Sequence, residues 1–251
     1  MSGHSKWATI KRAKGATDAK RGQLFTKLAR EIAIAARQGG GDIGFNPRLR
    51  LAVQKARDNN MPMDNIERAI KRATGAEGGA ASMEEITYEG YGPGGMAILL
   101  HVVTENRNRT ASDIRATMTR HGGTMGEAGS VAWLFATKGV LTAEVPKDKA
   151  EDVALKAIDA GAEDFSIEED HLEVYCQPAQ LEPLRKTLEA LVPVKSAEIA
   201  PIPNTTVPLD VKHAGQALRL LEILEELDDV QRVYTNADFP KEVLAQTSAG
   251  N

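Results

Sequence analysis

One cysteine, Cys176, is all the thiol chemistry this 251-residue chain carries. A single thiol closes no internal disulfide and builds no multi-cysteine zinc site, which fits a reducing compartment. Aromatic residues make up only 4% of the chain, so its cores must be packed with aliphatic side chains. No apolar run approaches the roughly 20 residues that span a bilayer. The N-terminus has no apolar stretch of the kind a secretory signal needs. These absences predict a cytoplasmic protein with no membrane partner. The histidines (His4, His101, His121, His171 and His213) are scattered without metal-ligand spacing. No serine sits in a nucleophile-elbow setting, and the acidic run Glu168–His171 reads as a solvated hairpin turn. Cys176, in an expected half-buried strand, reads as a small core residue. The expectation is a non-enzymatic protein with no cofactor and no metal.

What the chain does have is a steep division of charge. Its net charge of −4 hides 16 Lys/Arg against 6 Asp/Glu in residues 1–75, a balance of +10. The remaining residues carry 15 against 29, a balance of −14. Such asymmetry points to a polyanionic partner for the basic part. The alternative is that the two regions neutralise each other across a domain interface.

The basic region reads as an arm followed by three helices. The arm, "MSGHSKWATIKRAKGATDAKRG", places Trp7 among lysines and arginines. From Lys20 to Gln38, Leu24, Phe25, Leu28, Ile32 and Ala36 recur at helical spacing, and Gly39–Gly41 ends the helix. Asn46-Pro47 is an N-cap followed by proline at the first helical position; the helix it opens buries Leu49, Val53 and Ala56. A third helix starts near Pro62 and closes at Gly75, with Ile66 and Ile70 facing inward. Arg48, Arg50, Lys55, Arg57, Arg68, Lys71 and Arg72 stud the surface of this bundle.

After the linker "GAEGGAAS", the runs "EITYEGY" and "MAILLHVVT" joined by "GPGG" predict a β-hairpin. The glycines of this turn join strand to strand, which removes the strand-to-helix context that pyrophosphate binding requires. A helix is expected from about Thr110 to His121, then "GSVAWLF" as a strand. Next comes the order βαββαβ, the ferredoxin-like arrangement, followed by a helix (Val211–Leu227) and a strand (Val230–Asn236). The predicted fold is α+β: a basic three-helix domain over 1–79, a discontinuous α/β domain over 80–137 and 205–240, and a ferredoxin-like domain over 138–204 inserted into it. A tail covers 241–251. "AEVP" and "PIPNTTVP" are the expected crossing points, because prolines resist continuing a strand.

One segment outside the basic domain also invites an anion. "TENRNRTASDIR" places Arg107 and Arg109 at the entry to a helix, where backbone N–H groups attract phosphate and arginine adds bidentate donors. The competing reading is a helix capped by Asn108 or Thr110 with both arginines simply solvated.

"GHSKW", "AKRGQLFTKLAREI", "NPRLRLAVQKARDNNMP", "YEGYGPGG", "NRNRTASDIR" and "GSVAWLF" together resemble the YebC/PmpR family, over residues 3 to about 240. The resemblance implies one helical and two α/β domains, and a DNA-binding transcriptional regulator of the bacterial cytoplasm. Mitochondrial relatives of that family activate translation of cytochrome c oxidase, and bacterial members are linked to ribosomes stalled on proline-rich sequence. An RNA- or ribosome-binding translation factor is therefore the second reading.

The residues expected to contact nucleic acid are Lys6, Trp7, Lys11, Arg12, Lys14, Lys20, Arg21, Lys27, Arg30, Arg48, Arg50, Lys55, Arg57, Arg107 and Arg109. Trp7 either stacks on an unpaired base or docks under the first long helix. The absence of a clear helix-turn-helix, and a layout of cations on an arm, helix faces and loops, suit recognition of backbone and shape. A protein-interaction adaptor working through the acidic domains is the reading from another class. Nothing in the sequence calls for an oligomer, and a monomer is expected.

Overall fold

The computed structural model describes residues 18–75, 83–168, 170–240 and 242–243. The linker between the helical and central domains and the C-terminal tail are otherwise outside the described residues. The chain divides into two compact units: Ala136–Ile202, and the residues that precede and follow it.

The larger unit begins with α1 (Asp18–Gly39), α2 (Pro47–Asp58) and α3 (Met63–Thr74). Their apolar stripes meet in a small core of Leu28, Ile32, Ala36, Leu49, Val53, Ala56 and Ile66, with Leu24, Phe25 and Ile70 packed at its edge. These are the positions that the helical spacing selects. Asn46 fastens the α1–α2 corner. Its side-chain oxygen accepts the Leu49 N–H at 3.0 Å, and its amide donates to the carbonyls of Ala35 and Gly40 at 2.8 Å. Any side chain at position 39 would strike Asn46, because a Cβ there would lie 2.6 Å from its Nδ2. Glycine at 39 is what lets the corner close.

The same unit continues with β1 (Glu84–Tyr91), β2 (Ala97–Thr104), α4 (Arg107–Arg120) and β3 (Thr124–Met125), and is completed by β8 (Val207–Pro208), α7 (Val211–Glu226), β9 (Val230–Thr235) and β10 (Ala237–Asp238). Its main sheet has the order β3-β1-β2-β9, and every pairing in it is antiparallel. β2 alternates: Ile98, Leu100 and Val102 enter one core with Ile114 and Met118 of α4 and Leu220, Leu221 and Leu224 of α7. The β1–β2 turn carries Gly94 and Gly95 at φ +71° and +77°, the left-handed region that glycine reaches without steric cost.

The smaller unit holds β4 (Phe135–Glu144), α5 (Lys147–Asp159), β5 (Asp164–Glu168), β6 (His171–Cys176), α6 (Leu181–Glu189) and β7 (Val194–Pro203). Its sheet order, β5-β6-β4-β7, is the ferredoxin-like arrangement. The chain enters this unit at Ala136, ahead of "AEVP", and leaves it at Ile202. Cys176 is fully buried on β6, and burial raises its thiol pKa, so it is a poor nucleophile.

Two local expectations are corrected. "GSVAWLF" is not a strand until Phe135; Ala132–Leu134 form a single 3₁₀ turn. The cause is Glu89, a buried carboxylate on β1 that accepts the N–H groups of Gly129, Val131 and Ala132 at 2.6–2.7 Å. It gathers the backbone of this segment into a loop rather than leaving it for a ladder. The second correction concerns α4, which begins at Arg107. Asn106, not Asn108 or Thr110, is its N-cap, and its side chain accepts the Arg109 N–H at 3.1 Å.

The sheet face opposite α4 and α7 meets the helical bundle. Glu85 pairs with Val103 in the β1–β2 register, so both leave the sheet on that face, as does His101 two residues away on β2. Glu85 accepts from Arg48 of α2 and from His101 at 2.5 Å each. Hydrogen bonding to His101 lowers the Glu85 pKa, burial opposes it, and Arg48 adds to the lowering, which brings it to about 2. The folded value lies below the ordinary 4.5, so this carboxylate adds stability above that value and loses it as the pH falls toward about 2. Denaturant unfolding of the protein and of Glu85→Gln should therefore differ at pH 5, with the difference closing as the pH is lowered to 2. A difference that widens on acidification would contradict this assignment.

Candidate nucleic-acid interface

The structure sorts the predicted cations by what they touch. Lys6, Trp7, Lys11, Arg12 and Lys14 lie outside the described residues, and Lys20 lies in the first turn of α1, where only the backbone is described. Arg21 is exposed one residue later. Lys55 pairs with Glu31 within the bundle at 2.6 Å. Arg50 donates to the carbonyls of Ile43 and Gly44, bracing the loop before α2. Arg48 is the partner of Glu85.

Lys27 and Arg30, one turn apart on α1, both point at the end of α7. Lys27 donates to the Glu225 carbonyl and Arg30 to the Asp228 carbonyl. A helix C-terminus leaves carbonyls without partners and carries partial negative charge, so two cations there satisfy both demands at once. Arg30 also pairs with Asp229 at 3.3 Å.

Asp229 is the centre of this arrangement. It is only 7% exposed, yet it is surrounded by donors. Arg109 reaches it at 2.8 Å, the Thr110 hydroxyl at 2.6 Å and the Thr104 hydroxyl at 3.2 Å. Burial alone would raise its pKa; the Thr110 hydroxyl, Arg109 and Arg30 overcome that and hold it below the usual aspartate value. One carboxylate thus joins β2, α4, β9 and α1. No motif marks it: Asp229 stands in "LDDV", a turn composition that reads as solvated.

Arg107 and Arg109 therefore part company. The Arg109 side chain remains 57% exposed but is directed to Asp229. Arg107 is exposed, and its carbonyl accepts from the Tyr88 hydroxyl at 3.3 Å. Among the described residues of the basic region, Arg57 on α2 and Arg68, Lys71 and Arg72 on α3 are exposed without an intramolecular partner. The last three follow an i, i+3, i+4 spacing and so share one face of α3. Of these four, only Arg57 is among the residues expected to contact nucleic acid.

The described residues contain no group of His, Cys, Asp or Glu able to hold a metal ion, and no helix long and apolar enough to cross a membrane.

The family model for the TACO1/YebC N-terminal domain matches residues 5–76, and that for the TACO1/YebC second and third domain matches 83–237. A protein of Dehalococcoides mccartyi named "Probable transcriptional regulatory protein" is 57% identical, with 97% of each chain covered. Proteins of the same name from Moorella thermoacetica and Roseiflexus castenholzii are each 56% identical, over 98% and 100% of this chain and 99% and 100% of theirs. The crystal structure of a conserved hypothetical protein from Aquifex aeolicus superposes with a TM-score of 0.84 at 45% identity, covering 92% of this chain and 96% of that one.

Separating the two arginines is a direct check on the site. Arg109→Ala should lower stability clearly more than Arg107→Ala, because it strips a charged donor from the buried Asp229 carboxylate. Arg107→Ala should stay within about 0.5 kcal/mol, as exposed substitutions do. Urea unfolding of the two variants measures both, and equal losses would contradict the assignment.

Proposed function

The chain belongs to the TACO1/YebC family, and from that premise we propose that it is a non-enzymatic, nucleic-acid-binding regulator of gene expression, acting on transcription as its relatives' names state. The observation that carries this reading is the charge division, taken together with what the fold does to it. The central domain takes up Lys27, Arg30 and Arg48 as docking groups. Arg57, Arg68, Lys71 and Arg72 are left to solvent. Unpaired cations on one small helical domain are what a phosphate backbone requires, because each phosphate they neutralise releases condensed counterions. The neutralisation and polyanion readings of the charge asymmetry thus apply to different residues.

A second reading, binding to structured RNA during translation, has its own support. The free cations Lys71 and Arg72 sit in the last turn of α3, while its first turn carries Asp64 and Met63. A helix that reads bases in the major groove presents its N-terminal residues to base edges. An acidic first turn does not suit that insertion, and it favours recognition of backbone and shape, as in RNA helices.

Point substitutions test the reading without removing the bundle's docking groups. Replacing Arg57, Arg68, Lys71 and Arg72 together with Ala should weaken binding to both a duplex DNA and a structured RNA. The slope of log K against log salt should flatten by about one for each phosphate that is no longer neutralised. Thermal stability should hold, since none of the four has a partner to lose. Unchanged affinity and slope for both ligands would reject this helical face as the binding surface. A drop confined to one ligand decides between the two readings.

A further inference from the structure

The "GSVAWLF" segment has no part in the cation layout above, yet it presents an unusual surface. Trp133 is 70% exposed and Tyr91 42% exposed, and the two rings converge: Trp133 Nε1 and the Tyr91 hydroxyl both donate to the Ser130 carbonyl, at 3.1 and 3.0 Å. The loop beneath them is held by three backbone N–H bonds to buried Glu89 and by the Gly126 N–H donating to the Glu89 carbonyl at 2.8 Å. Large apolar rings are therefore fixed in solvent by a buried carboxylate, where a chain guided by burial alone would fold them inward.

We propose that Trp133 and Tyr91 form a stacking platform for an unpaired nucleobase. Both polar groups of the pair are already satisfied by Ser130, so what remains to offer is π-face, which every base can use. Because the rings are pinned, stacking costs little side-chain entropy. The flanking residues Glu127, Ala128 and Gly129 are exposed and small or polar, so the apolar area is confined to the rings. That is far below the roughly 800 Å² per partner of a stable protein interface. This inference rests on the nucleic-acid reading and adds to it a single-stranded ligand and a second binding point outside the basic bundle.

The test uses full-length protein and a 12-nucleotide oligouridine, with a duplex of equal length as control. Trp133→Ala should weaken oligouridine binding about 5- to 150-fold, the equivalent of losing one stacked base. Its salt slope should stay the same, since every phosphate-binding cation is still present. Trp133→Phe should stay within a few-fold of the parent, and duplex binding should not change. The chain has two tryptophans, so 5-fluorotryptophan labelling gives a resonance for each, and Trp133→Phe identifies that of Trp133. That resonance should shift with oligouridine and not with the duplex. A Trp133→Ala protein that binds oligouridine like the parent, or a Trp133 resonance that does not move, overturns the platform and leaves the family-level reading standing. A parent that binds neither oligouridine nor duplex overturns both. The resonance test holds even if the alanine variant fails to fold.

Discussion

A buried aspartate surrounded by cations organises this protein. Asp229 would be costly to desolvate alone, and the cost is offset only because Arg30, Arg109, Thr104 and Thr110 converge on it. Those donors come from elements far apart in the chain. Satisfying one carboxylate therefore fixes the first turn of α4 against β2 and β9, and brings α1 to the end of α7. The neighbouring carbonyls of Glu225 and Asp228 take Lys27 and Arg30 for the same electrostatic reason. On β1, across β2 from Asp229, Glu85 does for Arg48 and His101 what Asp229 does here.

This pattern changes the meaning of the charge asymmetry. A basic domain of balance +10 looks like a uniform polyanion grip, but part of its charge is structural. Lys27 and Arg30 hold the bundle to the end of α7 and Arg48 holds it to the sheet, Lys55 is paired within the bundle, and Arg50 braces a loop. Among the described residues of this domain, the exposed cations without an intramolecular partner are a smaller and more localised set on α2 and α3. Screening should act differently on the two sets. Exposed cations respond strongly to salt, and partly buried pairs much less, so added salt should release a nucleic-acid ligand long before it undocks the bundle.

Much of the fold was legible because it rests on local rules. Helical spacing found the bundle core from Leu28 to Ile66, Asn46-Pro47 marked the start of α2, and the element order announced the ferredoxin-like unit. Two of the failures share one physical cause. "GSVAWLF" has the composition of a strand, and only a carboxylate some forty residues earlier, on a strand that looks amphipathic, turns it into a loop. Arg107 and Arg109 look equivalent in sequence, and a carboxylate 120 residues later separates them. Hydrogen bonds and ion pairs that span such distances leave no periodic trace. For the same reason the cations could not be divided into docked and free from sequence, and Arg68, Lys71 and Arg72 are absent from the expected contacts.

Photocrosslinking in cells, with the attached peptides identified by mass spectrometry on the full-length protein, tests the central division most directly. Crosslinks should fall on the peptides that carry Arg57 and Arg68–Arg72, with those carrying Lys27, Arg30 and Arg48 protected by their docking. Crosslinks concentrated on Lys27 and Arg30, or confined to the inserted unit of residues 136–202, would contradict it.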